Sequence, residues 1–313
     1  MRKKILSAVS LILAFAACLP GCGETIDSAV NSNLGTTIDK SEIQTEENIH
    51  IRDKNLLYEQ QNNTEIVTMY LTVSMGNSAE NTDHTWEEIN TYSAYDYEEM
   101  GVERYKIAGL IQVGDENGLI PGELGYGQVA PNCTVQIRGQ SSSRNVQKNY
   151  KISIKDNKGD WRGQQTIALN KHQGDGLRFR NKLGFDLLSE IDELMSLRTT
   201  FVRLYVKDTT AGVDAKFEDY GIYTQVEQLN KTALERHGLD KRGHLYKINF
   251  CEFYRYEDTI VLKDDPRYDT AKFEEILEIK GDDDHTKLIR LLERINDYSI
   301  PIETILEEDF DIE

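Results

Sequence analysis

Apolar and polar residues alternate along several short segments of the chain, and this pattern predicts β-strands. From Glu65 onward, every second residue between Val67 and Met75 is apolar, so one face of this segment is expected to be buried. Further strands are predicted at Cys133–Arg138, Asn149–Lys155, Thr166–Leu169, Phe201–Val206, Gly221–Glu227, His244–Ile248 and Thr259–Leu262. Turn residues, not helices, separate several of these segments.

A helical period of 3.6 residues is found mainly in the later part of the chain. The segment Arg178–Leu194 has its leucines, Phe179 and Ile191 on one side of a helix. Other helices are predicted at Glu227–His237, closed by Gly238, at Thr270–Lys280, closed by Gly281, and at His285–Tyr298. Because strands come first and helices follow, the sequence predicts an α+β fold with a largely antiparallel sheet.

The first residues have the features of an export signal. Three basic residues precede the uncharged apolar segment Ile5–Leu19, which is too short for a comfortable membrane span. It ends in Leu19-Pro20-Gly21-Cys22, which resembles the site where bacterial lipoproteins are cut and lipidated. We therefore expect residues 1–21 to be a lipoprotein signal peptide and Cys22 to carry the lipid, placing the protein outside the cytoplasm on the cell membrane. The alternative is an ordinary secretory signal with an incidental cysteine.

Composition limits the function of the remaining chain. Residues 22–62 lack a sustained period and read as a flexible tether, and residues 63–313 are expected to form the domain. The net charge of −18 argues against a nucleic-acid partner, since such binding needs a basic face. Cys133 and Cys251 form either one disulfide or, more commonly in a domain of this size, two separate buried thiols. The six histidines lack metal-site spacing.

A basic segment interrupts this acidic chain. Between Arg138 and Lys182 there are eleven basic and three acidic residues. Strand alternation places Lys151 and Lys155 together, opposite the apolar residues of their strand. Arg178, Arg180 and Lys182 stand at a predicted helix start, where cations are unfavourable by about 0.3–1 kcal/mol each. This placement is explained if an anion binds at that helix end.

The stretch Arg138–Arg144 has the composition of a phosphate-binding turn. It contains Gly139 and three successive serines, beginning with Ser141, between two arginines. Composition fits a polar hairpin loop equally well. The Walker A pattern GxxxxGK[ST] is absent from the chain, so this is not a P-loop.

Four ordered stretches resemble one family, the spore-coat protein H-like or CotH family. They are Val135–Ser142, Lys148–Ile152, Leu177–Leu183 and Gly221–Gln228, and the resemblance extends over roughly residues 65–313. CotH proteins are a secreted, atypical branch of the protein-kinase-like fold.

This resemblance implies ATP-dependent phosphorylation of protein serines, with Mg²⁺ as metal and coat or cell-surface proteins as substrates. Arg138, Lys151 and Arg180 would then contact the nucleotide phosphates, together with Ser141 in the cradling turn. Glu227 would lie at or near the nucleotide pocket, either as an ion-pair partner or in a hinge-like strand.

One family feature is missing from these 313 residues. The acidic residues that activate the acceptor and hold the metal belong to segments resembling G-N-x-D-x-x-x-x-N and P-W-D-x-D, and neither occurs here. We therefore expect the catalytic acids to lie beyond Glu313, and this chain alone to bind nucleotide without completing phosphoryl transfer. The alternative function is a surface-anchored, non-catalytic module that holds an anionic polymer or a partner protein.

Overall fold

A computed structural model describes residues 56–59, 64–212 and 214–311. The predicted signal peptide, Cys22 and most of the predicted tether lie outside these residues. Within the described part, one compact unit ends at Leu239 and a second begins at Asp240. The predicted domain of residues 63–313 therefore comprises two compact units.

Among the described residues, the first unit contains five α-helices and eight strands. The helices are α1 (Leu56–Glu59), α2 (Trp86–Thr91), α3 (Ala94–Met100), α4 (Arg180–Leu188) and α5 (Lys231–Arg236). The strands are β1 (Ile66–Ser74), β2 (Ile107–Asp115), β3 (Gly118–Leu119), β4 (Cys133–Arg138), β5 (Asn149–Ile154), β6 (Thr166–Asn170), β7 (Thr199–Asp208) and β8 (Phe217–Glu227).

All eight strands belong to one sheet, in the order β1-β7-β8-β6-β5-β4-β2-β3. Only the β1–β7 pair is parallel, and the other pairs are antiparallel. Because β2 also pairs with β1, the sheet closes on itself and has an inner and an outer face.

The inner face holds the main hydrophobic core, as the alternation in the sequence predicts. The predicted apolar side chains Val67, Met69, Leu71 and Val73 are at most 5% exposed. Strand β4 has the predicted bounds, and its residues are alternately buried and half-buried. Helices α2 and α3 add Trp86, Ile89 and Tyr97 to the same cluster. A mostly antiparallel sheet with several helices confirms the α+β prediction.

The second unit is smaller. It contains strand β9 (Tyr246–Ile248), helix α6 (Thr270–Ile276), strand β10 (Leu277–Ile279), helix α7 (Thr286–Asn296) and helix α8 (Ile302–Asp309). Strands β9 and β10 pair antiparallel. Its buried cluster contains Ile260, Phe273, Leu277 and Leu292.

Two predictions in the second unit are wrong. The helix predicted over Thr270–Lys280 ends at Ile276, because Leu277 enters the core in extended conformation and pairs with β9. The segment Thr259–Leu262 forms turns in place of a strand, since the N–H groups of Thr259 and Ile260 both donate to the Tyr256 carbonyl. Ile260 and its neighbour Val261 are both buried, which strand alternation on a one-sided core does not produce.

Two helices of the first unit are shorter than predicted. Helix α4 ends at Leu188, where the hydroxyls of Ser189 and Ser196 donate to the carbonyls of its last turn. Helix α5 begins only after Asn230, whose side chain accepts from the Ala233 N–H, because the backbone up to Glu227 still belongs to β8. The apolar stripe predicted for α4 is not buried: five of its members are 39–62% exposed, namely Leu183, Leu187, Leu188, Ile191 and Leu194.

Both cysteines of the described residues are free thiols, Cys133 buried and Cys251 half-buried, as the commoner alternative predicts. No described helix combines the length and the apolar composition needed to span a membrane.

Strand β8 contains an irregularity that depends on a glycine. The β7–β8 register shifts between Arg203 and Tyr205, and near this point Gly221 adopts a φ of +74°, a conformation that side chains with a Cβ rarely adopt. The Asp219 carboxylate accepts from the Gly221 N–H. A Cβ at Gly221 would lie 3.1 Å from the Lys171 ammonium.

Replacing Gly221 by Ala is expected to lower the free energy of unfolding by about 1–2 kcal/mol, because a left-handed residue with a Cβ is strained by that amount. Chemical denaturation followed by tryptophan fluorescence measures this. Gly184→Ala is the matched control: Gly184 lies inside α4 with nothing within 4 Å of an added Cβ, so alanine there is expected to stabilise. Equal effects of the two variants would contradict the assigned role of Gly221.

Candidate functional site

Two of the residues predicted to bind phosphate, Arg138 and Lys151, share the outer face of the sheet. Arg138 on β4 lies opposite Asn149 on β5, and Lys151 lies opposite Gln136. Because side chains alternate along a strand, Arg138 and Lys151 are diagonal neighbours on one face, a separation of about 7–8 Å that long side chains can bridge. Tyr150, the residue before Lys151, is buried on the other face. We call the outer face that carries Arg138, Lys151, Asn170 and Thr224 the polar face.

Arg138 is half-buried on this face without a carboxylate partner. Its guanidinium donates to the Asn170 side-chain oxygen, and among the described residues no carboxylate oxygen forms a salt bridge with it. Burial lowers the pKa of Arg138. Nearby in the register, Thr224 is 1% exposed and its hydroxyl has no hydrogen-bond partner among the described residues. The polar face therefore offers a desolvated cation and an unused hydroxyl.

The turn after β4 is held rigidly. Gly139 has a φ of +90° and is followed by a 3₁₀ turn over Ser141–Arg144. Arg104 donates to the Gly139 carbonyl at 3.0 Å, and Lys148 donates to the Ser143 carbonyl at 2.7 Å. Ser141 itself is exposed. Its contact with a nucleotide stays a prediction.

The anion expected at the start of α4 has a counterpart in the protein itself. The Asp175 carboxylate accepts from the Arg180 N–H at 3.0 Å and from the Leu177 N–H at 3.2 Å. The Arg180 side chain is 75% exposed and lies 3.5 Å from Asp175. Asp175 thus compensates the helix dipole and the nearby cation. Phosphate binding by Arg180 stays a prediction.

Helix α4 packs on the same side of the sheet as the polar face. Its Lys182 is 3% exposed, pairs with Asp186 one turn later at 2.9 Å, and lies 3.5 Å from the Thr199 hydroxyl of β7. Lys182 is therefore a buried structural cation that ties the helix to the sheet. Lys182 lies in the first turn of α4, as predicted, and its part in anion binding at that helix end stays a prediction.

Glu227 belongs to a buried charge network at the end of β8. It is 3% exposed; the Arg198 guanidinium donates to one of its oxygens at 2.5 Å, and His237 lies 2.8 Å from the other. Burial alone would raise the pKa of Glu227, but the hydrogen bonds from His237 and Arg198 outweigh it and lower the pKa to about 2. Glu227 is therefore an ion-pair partner at the end of β8, and its place at or near a nucleotide pocket stays a prediction.

The sequence did not identify the partners of these residues. Asn170 lies one residue beyond the predicted strand Thr166–Leu169, and extending the alternation by one position would have placed it beside Arg138. Arg198 and His237 lie 29 and 10 residues from Glu227, a separation at which no periodic pattern connects side chains.

Metal ligands are not assembled in the part of the chain described here. Among residues 56–59, 64–212 and 214–311, no group of three or more His, Cys, Asp or Glu side chains could hold a metal ion. The described residues therefore do not fit a Mg²⁺ site, and no chemical step is assigned to a metal.

A cavity of about 410 Å³ opens on the inner side of the same sheet. Its walls include Trp86, Lys148, Tyr150, Lys171, Tyr220 and Tyr223. None of the five residues predicted to bind nucleotide lines it. We call it the aromatic cavity.

A comparison with protein families identifies this arrangement. Residues 135–313, more than half of the chain, match the sequence profile described as CotH kinase protein. The chain belongs to the CotH kinase family. The match begins within β4 and contains Arg138, Ser141, Lys151, Arg180 and Glu227, so all five predicted residues fall in the CotH region. The sequence matches none of the curated proteins with which it was compared.

Membership of this family indicates a kinase-like function. The α+β architecture with its large, mostly antiparallel sheet is compatible with a CotH kinase-like fold. ATP and metal dependence are general properties of such kinases.

Proposed function

We propose that this protein is a CotH-type protein kinase whose substrates are serines of coat or cell-surface proteins, and that residues 63–313 bind ATP on the polar face without completing phosphoryl transfer alone. We further propose that it is exported as a lipoprotein, anchored to the outer side of the cell membrane through Cys22. The net charge of −18 supports a protein substrate over a nucleic acid.

The observation that carries this proposal is the environment of Arg138. Removing a guanidinium from water without a carboxylate partner is unfavourable, and an anionic ligand offsets that cost. Arginine donates two parallel hydrogen bonds to a phosphate. Lys151, its diagonal neighbour on the same face, adds a second positive charge. Two adjacent cations beside an unused hydroxyl suit the phosphate chain of a nucleotide.

Phosphoryl transfer requires a site of this kind. Phosphoryl transfer depends on positioning and on stabilising charge spread over the phosphate oxygens, more than on covalent catalysis by the protein. ATP supplies the transferred phosphoryl group. Arg138 and Lys151 would orient the phosphates, and the rigid turn over Ser141–Arg144 would limit their movement at the end of β4.

Isothermal titration of the full chain with ATP tests the proposal. Lys151→Ala and Arg138→Met are each expected to weaken binding by about tenfold or more, since each removes a charged contact worth at least about 1.4 kcal/mol. Lys155→Ala is the matched control. Lys155 follows the same strand, but its ammonium pairs with Glu80 at 2.7 Å, so its loss is expected to leave ATP affinity unchanged.

The same titration distinguishes the kinase from the alternative function, a non-catalytic binding module. If the folded chain binds a polyanion such as teichoic acid in a salt-sensitive manner and ATP neither binds nor competes, the protein is a binding module. Retained ATP affinity in both the Lys151 and Arg138 variants would contradict nucleotide binding on the polar face.

A further inference from the structure

The aromatic cavity lies on the inner face, opposite the polar face. Helix α2 contributes Trp86, which stacks on Tyr150 of β5 with ring centroids 5.0 Å apart. Strand β8 contributes Tyr220 and Tyr223, and Lys171 enters directly after the end of β6. A volume of about 410 Å³ is within the range of small-molecule sites in proteins.

Two lysines of this cavity are buried without a counter-ion. Lys148 is 8% exposed and Lys171 is 4% exposed. Among the described residues, neither ammonium forms a salt bridge with a carboxylate. Lys148 donates to the Ser143 carbonyl at 2.7 Å, and Lys171 donates to the Tyr220 carbonyl. Since an ammonium has three donors, each lysine keeps donors beyond these contacts.

The lysines are held in place by the surrounding structure. The Lys171 ammonium lies 4.2 Å from the centroid of the Tyr223 ring, a cation–π contact that supports a desolvated cation. It approaches the Tyr220 carbonyl past Gly221, where an added Cβ would lie 3.1 Å from it. The Asn149 side-chain oxygen accepts from the Lys171 N–H at 2.7 Å. Both the backbone N–H and the side-chain ammonium of Lys171 are therefore held in place.

The acidic groups of the cavity do not neutralise these lysines. Glu87 is exposed at the rim. Asp208 accepts hydrogen bonds from the Thr210 N–H at 2.8 Å and the Thr210 hydroxyl at 2.6 Å. Both carboxylates can accept from hydroxyl groups of a ligand. Burial lowers the pKa of Lys148 and Asp96 opposes this shift, but among the described residues no carboxylate forms a salt bridge with either lysine, so an anion from outside the chain can still pair with them.

We propose that the aromatic cavity binds a phosphate group, free or as the monoester of a small polyhydroxy compound, through Lys148 and Lys171. A dianion offsets two buried cations, and the ammonium of lysine binds phosphate as a point charge. The hydroxyl groups of a monoester would reach Glu87 and Asp208 at the rim. This site is separate from the nucleotide site on the polar face, so it does not depend on the proposed kinase function.

The protonation of Lys171 supplies a second, independent readout. Burial and, to a smaller extent, Arg178 lower the pKa of Lys171 to about 8, against an opposing effect of Asp219. Near pH 8 the free protein is therefore partly neutral at Lys171. Binding of a phosphate dianion favours the charged ammonium, so binding is expected to take up protons.

Isothermal titration of the full chain tests the site with glycerol 3-phosphate and inorganic phosphate as probes. Glycerate and glycerol are the controls for a carboxylate and for an uncharged ligand. We expect saturable binding of at least one phosphate probe. Tighter binding of the ester would identify a site for a monoester, and equal binding of the two probes would identify a site for free phosphate. Lys171→Met and Lys148→Met are each expected to weaken it at least tenfold. Lys155→Met, the matched loss of one lysine outside the cavity, is expected to change it less than twofold.

Proton uptake is measured on the unchanged protein by titrating at pH 8 in buffers of different ionisation enthalpy, so this test does not depend on variants that fold. Uptake on phosphate binding supports the proposal. The proposal would be overturned if phosphate does not bind, or if glycerate binds with equal affinity. It would also be overturned if phosphate binds without proton uptake and both lysine variants keep the affinity of the wild type. ATP affinity that falls in Lys171→Met but not in Lys151→Ala would also overturn it, because the cavity would then be the nucleotide site.

Discussion

Replacing Glu227 by Gln is expected to lower the free energy of unfolding by about 3–5 kcal/mol, because it leaves the buried Arg198 guanidinium without its anion. Arg198 is 7% exposed and His237 is fully buried, so water cannot replace the lost charge. Glutamine has nearly the shape of glutamate, which isolates the electrostatic effect from a packing effect. Denaturation followed by the fluorescence of Trp86 and Trp161 measures it, since both tryptophans are buried in the first unit.

Asp219→Asn provides the matched control for this prediction. Asp219 is also an acidic residue of β8 paired with an arginine, Arg203, at 2.5 Å, but both side chains are more than a third exposed. Surface pairs of this kind contribute little to stability. We expect the denaturation midpoint of this variant to stay close to that of the wild type. Similar losses in the two variants would show that the Glu227 network has no special role.

Lowering the pH is expected to remove the contribution of the ionised Glu227 to the free energy of unfolding. The pKa of Glu227 is lowered from 4.5 to about 2 in the folded protein, so the folded state favours the ionised carboxylate. This stabilisation is fully present above pH 4.5 and is lost as the pH falls toward 2. A shift of this size is worth about 3 kcal/mol.

The comparison of wild type and Glu227→Gln across pH isolates this effect, because other carboxylates titrate equally in both proteins. The difference in unfolding free energy is expected to shrink by about 3 kcal/mol between pH 4.5 and pH 2. A difference that stays constant over this range would mean that Glu227 is not held as a depressed-pKa carboxylate.

The parts of the fold that depend on local pattern were predictable. Alternation located β4 with correct bounds and identified the buried side of β1, because a one-sided core selects every second residue. The predicted length of helix α4 is too great. Its apolar stripe is exposed, and the hydroxyls of Ser189 and Ser196 donate to the carbonyls of its last turn. A helical pattern does not reveal whether another element covers it.

The candidate site was predictable only in part for the same reason. Strand alternation predicted the face of Lys151, and the antiparallel register then brings Arg138 beside it. Burial of Arg138, Lys171 and Glu227 depends on elements distant in sequence, so composition could identify a basic segment but not which of its members lose water. Asp175 is one acid among many bases in this segment, and composition does not reveal that its carboxylate accepts from the Arg180 N–H at the start of α4.

A crystal structure of the full chain with a non-hydrolysable ATP analogue tests nucleotide binding on the polar face most directly. We expect phosphate oxygens within hydrogen-bond distance, about 2.7–3.2 Å, of the Arg138 guanidinium and the Lys151 ammonium on the polar face. A nucleotide held in the aromatic cavity, or on any surface that leaves Arg138 without a phosphate contact, would contradict it.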